Sequence, residues 1–355
     1  MFYNNMNFVK YLLIPFQIVY SLIVRVRNLV YDFNIISIYS PHTLVISVGN
    51  LKVGGTGKTP MVEYLIKILK NYKIAVLSRG YKRKTKGFVL AKEKRHNAYH
   101  IGDENAQLYN KFQEITIGCD ENRVNGIKKL LQIDKKIQII ILDDGYQHRA
   151  LKRDVNILLT EYNQLFINDS LLPIGKLREP KFEKRRANII IVTKCPHNIS
   201  KSQQQFIKEI LDLDINQKIY FSHIKKHVFL NMNTIKEHKI NKDQKHLLVT
   251  GIENPLELLN FLNNEKIDFK HLKFNDHHDF SQLDISNIIQ LSESENYSKE
   301  LLLTEKDFYR LSKKDKQKLE KHFTLICIQI EIDFIDADKS TFNHQLCNFV
   351  KSKIT

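Results

Sequence analysis

Between residues 53 and 59 the chain reads Val53-Gly54-Gly55-Thr56-Gly57-Lys58-Thr59. Glycines at three of four consecutive positions let successive backbone N–H groups turn toward one anion. Lys58 adds a point charge suited to β- and γ-phosphates, and Thr59 offers a hydroxyl to Mg²⁺. The usual spacing of such a loop asks for glycine at position 52, where this chain has Lys52, so the match is the variant GGTGKT. Loops of this kind work with an acidic residue at the end of a second core strand, which holds the metal. The run QIIIL at 138–142, closed by Asp143-Asp144-Gly145, supplies two such residues. A plain Asp-Gly turn is the competing reading. Thr193-Lys194-Cys195-Pro196 stands where a GTPase carries its Asn-Lys-x-Asp guanine reader. The aspartate is missing, which disfavours a GTP switch and leaves ATP open.

These residues need a scaffold, and the hydrophobic pattern provides one. LVISVG at 44–49 is a short apolar strand that runs straight into the glycine loop, and residues 60–70 follow with helical periodicity. Further apolar runs at Ile74–Leu77, Ile139–Leu142, Val155–Leu159 and Ile189–Val192 alternate with helical stretches. Short all-apolar strands separated by helices predict a parallel sheet covered on both faces. Between 213 and 245 the pattern changes to short alternating runs, KIYFSHI and HVFLNMN, rich in Lys, His and Asn. A second strand, glycine, helix pattern begins at HLLVTGIENPLELLNFL, followed by strands in LLLTEK and TLICIQIEI. The expected architecture is therefore α/β. A P-loop NTPase-type parallel sheet sandwich occupies 41–215, a hairpin-like connection 216–245 and a smaller α/β domain 246–355, with an amino-terminal region over 1–40.

That amino-terminal region holds a charge-free stretch from Tyr11 to Val24, preceded by Lys10 and followed by Arg25 and Arg27. Fourteen residues fall short of the roughly 20 that a spanning helix needs. Basic residues stand where a signal peptide would place its small-residue cleavage site, and Pro15 is expected to bend or delay a helix. An aromatic-rich apolar helix with basic flanks reads as a segment lying in a membrane interface. The competing reading is a helix packed on the protein's own core.

Composition sets outer bounds. With 43% hydrophobic and 26% charged residues in 355, the chain can bury one large core or two ordinary ones. The four cysteines, Cys119, Cys195, Cys327 and Cys347, form no CxxC pair, which argues against structural zinc and for a reducing compartment. A formal charge of +16 points to an anionic partner. Lysines far outnumber arginines, so part of this excess is compositional.

Taken together, VGNLKVGGTGKTP, LSRGY at 77–81, GDE at 102–104, DDGYQHRALKRD at 143–154, LLPIGKLREP at 171–180, TKCP at 193–196, DHH at 276–278 and TEKD at 304–307 resemble one family. This is the family of tetraacyldisaccharide 4′-kinase, the kinase of lipid A biosynthesis, and the motifs appear in its order. The resemblance implies transfer of the γ-phosphate of ATP, with Mg²⁺, to the 4′-hydroxyl of an acylated glucosamine disaccharide 1-phosphate, forming lipid IVA. It further implies a peripheral or monotopic protein at the cytoplasmic face of the inner membrane.

In that reaction Lys58 and the loop from Val53 to Thr59 hold ATP, while Thr59 and Asp143 or Asp144 hold Mg²⁺ directly or through water. Arg178 of LREP would neutralise developing charge and Glu179 would add to the metal shell; an ordinary surface ion pair is the plainer reading. The resemblance supports Asp103 as the base for the acceptor hydroxyl, with His277 orienting it from the other domain and the active site in a cleft between the two. Otherwise Asp103 is a capping or turn residue, and Asp276, His277, His278 and Asp279 form a metal cluster or a polar loop. The basic run from Lys82 to Arg95 reads as a contact for lipid headgroups or the 1-phosphate, or as a solvated loop. Lys82 stands where the family often has glycine.

Two other classes compete. A soluble P-loop ATPase acting as a maturation or metal-insertion factor lacks a CxxC or histidine-rich delivery motif here. A nucleic-acid-binding protein lacks any helix-turn-helix, zinc-finger or RNA-binding signature, so no nucleic-acid partner is expected.

Overall fold

The computed structural model describes residues 2–91, 98–294 and 297–354. The chain divides into two compact units. One comprises Met1–Arg79, Asp120–Ile224 and Ile332–Thr355, the other Gly80–Cys119 and Lys225–Glu331.

The first unit is built on a parallel sheet in the order Ile74–Ser78, Ile139–Asp143, Leu44–Asn50, Val155–Glu161, Ile189–Thr193 and the start of Lys218–Asn231. The central strands are buried along their length because both faces are covered, which is why they read as unbroken Val/Ile/Leu runs rather than alternating ones. Helices Lys58–Ile68 and Arg123–Ile133 pack on this sheet. Asp143 is the parallel partner of Val48, so the acidic pair stands beside the strand that feeds the glycine loop.

The amino-terminal helix runs Phe2–Asp32 and passes through Pro15. Proline removes one backbone bond, but in a helix of this length the bonds on either side persist and the helix is not delayed. Leu12–Asp32 gives 21 residues of mean hydropathy 1.4, long and apolar enough by length and composition to cross a membrane. That exceeds the fourteen-residue apolar run because Arg25 and Arg27 lie inside the helix. Its last turns dock on the first unit, with Val24 and Asn28 buried, Tyr20 Oη donating to the Arg178 carbonyl and Arg149 Nη1 donating to the Asn28 carbonyl. The rest of the surface leaves Phe16, Ile18, Leu22 and Ile23 more than 60% exposed. An apolar face of this extent marks an interaction with lipid or another apolar surface.

The second unit has a parallel sheet in the order Phe269–Lys273, His246–Thr250, Glu300–Thr304 and Thr324–Phe334. Val89–Leu90 and Thr116–Cys119 form a short antiparallel pair. The two alternating runs expected as a hairpin-like connection form one strand, Lys218–Asn231. A hairpin appears only at its end, where Leu230 and Asn231 pair with Lys236–Glu237.

Two segments fall in units other than those expected from their place in the chain. Residues 80–119 join the second unit because helix Asp103–Lys111 binds helix Glu305–Arg310 through Lys306 to Glu104 at 2.7 Å and Gln107 to Glu305 at 3.1 Å. Residues 332–355 join the first because Phe342, fully buried on helix Asp338–Ile354, stacks on Phe334 and meets the rings of Tyr64 and Tyr220. Packing across long sequence separations decides both.

Candidate active site

The strand Leu44–Asn50 leads into the glycine loop, and helix Lys58–Ile68 starts immediately after it. Gly57, the residue that caps this helix, has φ 85°, a left-handed conformation that a side chain would strain. The loop is held from beneath. Buried Asn50 donates from Nδ2 to Thr56 Oγ1 at 2.8 Å, and Thr193 Oγ1 donates to the Thr56 carbonyl at 3.0 Å. Thr59 is buried at the head of the helix. Among the described residues Lys58 has loose partners, the Gly54 carbonyl at 3.5 Å and Asp144 at 3.9 Å, so its ammonium is readily redirected to a phosphate.

Asp143 ends its strand buried, and Asp144 follows with φ 53°. This turn depends on close packing, since Gly145 N–H donates to Val48 O and a Cβ on Gly145 would stand 2.6 Å from Ser47 Oγ. A Cβ on Gly49 would likewise stand 2.7 Å from Tyr146 Cβ, so both glycines let the acidic strand and the loop strand approach. Arg178 grips Asp144 with both terminal nitrogens, at 2.9 and 2.8 Å, and also donates to Asn50. Burial pushes the Asp144 carboxyl up, but Lys58, Arg178 and Arg123 outweigh it and hold the group well below the ordinary carboxylate range. Arg178 thus forms an ion pair with Asp144 of the acidic turn. A threonine hydroxyl and two carboxylates are hard oxygen donors of the kind Mg²⁺ takes, so Thr59, Asp143 and Asp144 fit that ion.

Glu179 departs from its expected metal role. It is fully buried, with Oε1 accepting from Arg27 at 2.7 Å and Asn28 at 3.2 Å, and Oε2 accepting from Gln147 at 3.1 Å and from Arg186. Neighbouring Glu183 joins the same network through Asn28 and Arg186. Oε1 holds the amino-terminal helix and Oε2 holds Gln147 and Arg186, so Glu179 ties that helix to the rest of the first unit.

In the second unit, Gly102 precedes helix Asp103–Lys111, and Asp103 is buried in its first turn. Asp103 Oδ2 lies 3.0 Å from His277 Nδ1 and accepts two hydrogen bonds from Arg310. The expected pairing of Asp103 with His277 across 174 positions of sequence is therefore formed. His278 turns away to Asp284 at 2.9 Å, and among the described residues no group of three or more His, Cys, Asp or Glu could hold a metal. The metal-cluster reading of 276–279 falls with that. Of the basic run, Lys82 donates to the Asp276 carbonyl and Arg83 folds onto Gly87 O and Cys119 Sγ. Lys92, Lys94 and Arg95 lie outside the described residues.

Sequence reasoning passed over several residues that shape these sites. Asn50 stood inside a quoted motif, but nothing in its type announced a support for the loop. Arg123, buried and pushed down to about 10, lies near Asp143, Asp144 and Arg79. His148 of DDGYQHR is pushed down to about 3, first by burial and then by Arg123. Arg310 stands three residues beyond TEKD, too far from Asp103 in sequence to be linked to it.

The sequence profile of the tetraacyldisaccharide-1-P 4′-kinase family matches residues 9–351. A relative named tetraacyldisaccharide 4′-kinase from Flavobacterium johnsoniae is 41% identical over 354 residues, covering 98% of this chain and 99% of its own. One of the same name from Bacteroides thetaiotaomicron is 39% identical over 353 residues, covering 96% and 93%. Among solved structures, LpxK from Aquifex aeolicus in complex with ATP superposes with a TM-score of 0.74 at 28% identity, covering 96% of this chain and 99% of that one. With the family profile matched over nearly the whole chain and relatives of about 40% identity covered almost end to end, this chain belongs to the tetraacyldisaccharide 4′-kinase family.

Proposed function

We propose that this protein is a lipid kinase that transfers the γ-phosphate of ATP to the 4′-hydroxyl of a tetraacylated glucosamine disaccharide 1-phosphate. The observation that carries this reading is the glycine loop and helix Lys58–Ile68 beside Asp143 and Asp144 on the adjacent strand. Val53 to Thr59 cradle the nucleotide phosphates, and Lys58 leaves its loose partners to meet the β- and γ-oxygens. Thr59, Asp143 and Asp144 would hold Mg²⁺, which would neutralise charge on the phosphate oxygens. Arg178, aligned on Asp144, stabilises charge that develops during transfer. The acceptor hydroxyl is too weak an acid to lose its proton unaided, and the Asp103–His277 pair supplies the base.

The amino-terminal helix seats the protein on a membrane, where an acylated acceptor resides. With ATP as donor, the face is the cytoplasmic one, and a peripheral or monotopic seat on the inner membrane suits a helix whose last turns dock on the protein itself. Basic residues, including Lys82 and Lys84, suit an acceptor that bears a 1-phosphate.

The test is transfer of labelled γ-phosphate to purified tetraacyl disaccharide 1-phosphate in detergent micelles, with wild type and Asp103→Ala. Wild type should label the lipid, and Asp103→Ala should lower turnover by at least about 10²-fold with ATP affinity nearly unchanged. ATP hydrolysis by wild type with no labelled lipid would overturn the reading in favour of an ATPase that drives a partner.

A further inference from the structure

We propose that Gln147 and Tyr20 are positioning residues for phosphoryl transfer: they tie the docked stripe of the amino-terminal helix to Asn50 and Arg178, so that this helix aligns the phosphate site as well as meeting lipid. This deepens the lipid-kinase reading and rests on it.

The stripe follows from helical spacing. Tyr20, Val24, Arg27 and Asn28 stand at i, i+4, i+7 and i+8 of Phe2–Asp32 and so share one face. Val24 is 6% and Asn28 2% exposed, while Leu22 and Ile23 on the remaining surface are each 62% exposed. The polar groups of the stripe reach two consecutive residues. Tyr20 Oη donates to the Arg178 carbonyl at 2.9 Å, and Arg27 and Asn28 donate to Glu179 Oε1 at 2.7 and 3.2 Å. Burial pushes the Tyr20 phenol up, so it keeps its proton and remains a donor. A lipid anchor needs only an apolar face. It has no use for hydrogen bonds to the residue that grips Asp144.

Glu179 passes the contact on. Its Oε2 accepts from Gln147 Nε2 at 3.1 Å, and the same nitrogen donates to the Asn50 carbonyl at 3.0 Å. A carboxylate and a carbonyl only accept, so the amide nitrogen must face both, and both of its hydrogens are used. The position therefore asks for glutamine by type. Glutamate, of the same shape, would set a carboxylate against a carboxylate and a carbonyl.

Asn50 is where these contacts converge. Its carbonyl accepts from Gln147 and from Arg178 Nη2 at 2.9 Å, its Oδ1 accepts from the same arginine nitrogen, and its Nδ2 supports Thr56 Oγ1 in the glycine loop at 2.8 Å. The backbone of Arg178 is also laced to the entrance of the loop. Its N–H donates to Leu51 O at 2.7 Å, and the Val53 N–H donates to Lys176 O at 2.8 Å. The segment that carries Arg178 is thus held by the loop entrance and by Tyr20. Asn50 and Glu179 are fully buried, and a close-packed interior transmits a displacement rather than absorbing it. A shift of the docked stripe therefore moves the Arg178 guanidinium and the start of the loop together, where small misplacements cost rate.

The test is steady-state transfer of labelled γ-phosphate to tetraacyl disaccharide 1-phosphate in micelles, with wild type, Gln147→Met, Gln147→Glu and Tyr20→Phe. Rates are taken per ATP bound at saturation, so unfolded protein does not count, and vesicle flotation is measured alongside. Methionine keeps the length of the side chain and loses both donors, and phenylalanine loses one hydroxyl and keeps the ring. Gln147→Met should lower kcat by at least about tenfold, since it gives up two bonds, one of them to a carboxylate, and Tyr20→Phe by about three- to tenfold. The KM for lipid and the flotation should stay at wild-type values, because the exposed apolar face is untouched. Gln147→Glu should lose at least as much kcat as Gln147→Met, an order that a space-filling role would reverse.

A kcat within about twofold of wild type in both Gln147→Met and Tyr20→Phe would overturn the proposal. So would a loss confined to lipid KM and flotation, or a Gln147→Glu enzyme that keeps wild-type kcat. If the Gln147 variants fail to fold, Tyr20→Phe decides alone, and an unchanged kcat there refutes the coupling. No labelled lipid from wild type would overturn the kinase reading and this proposal together, whereas labelled lipid with unchanged kcat in the variants would overturn this proposal alone.

Discussion

Replacing Glu179 with glutamine separates the two roles this residue was open to. The side chain is 1% exposed and faces Arg186, itself 10% exposed, and Arg27, 44% exposed. Breaking a buried ion pair by removing one partner costs about 3–5 kcal/mol. Arg27 adds little to that because water screens it, and Arg186 keeps Glu183 at 2.7 Å. The low end, about 3 kcal/mol, is therefore expected. For a unit of about 200 residues, each kcal/mol lowers Tm by roughly 2–4 °C, so the fall should be about 6–12 °C. The chain has no tryptophan, so near-UV circular dichroism of the tyrosines in micelles is the assay. Limited proteolysis alongside it should show faster cutting between Tyr20 and Asp32, where the helix docks on this network. A Tm within about 2 °C of wild type, together with a raised Mg²⁺ requirement, would refute the anchoring role and return Glu179 to the metal shell.

Three further outcomes are expected. Lys58→Ala should abolish phosphate transfer in the labelled-lipid assay while leaving the melt unchanged, because the partners of Lys58 among the described residues are loose; near-normal turnover would remove the phosphate-loop assignment. His148, held at about 3 by burial and Arg123, refuses a proton that the unfolded chain accepts below its ordinary value near 6.5. Stability should therefore fall as pH drops from about 6.5 toward 3, and His148→Gln should flatten the loss of Tm between pH 7 and 4. Leu22→Glu with Ile23→Glu, both 62% exposed in wild type, should release the protein from vesicles in a flotation assay without shifting the melt; unchanged flotation would show that this face does not meet lipid.

The reach of the sequence was uneven, for physical reasons. Local features were legible. Unbroken apolar runs give buried parallel strands because burial on both faces leaves no polar position, and GGTGKT marks a phosphate loop because only glycine tolerates the backbone at Gly57. The acidic pair was legible because a strand ended on it. Glu179 misled because LREP displays a carboxylate beside an arginine, while the partners that consume it, Arg27, Asn28, Gln147 and Arg186, come from three separate stretches.

What the sequence by itself determined is the set of local devices: the loop, its strand and helix, the aspartate pair and an apolar amino-terminal helix. Each follows from side-chain type and spacing within a few turns of chain. The tertiary structure alone decided which stretches share a unit, since residues 80–119 are held by Lys306 and Glu305, and residues 332–355 by Tyr64 and Tyr220 against Phe342, partners far apart in sequence. It also decided the electrostatics. A carboxylate's charge and reach depend on the cations that fold against it, and Arg310 on Asp103 or Arg186 on Glu179 is a pairing that no spacing rule encodes.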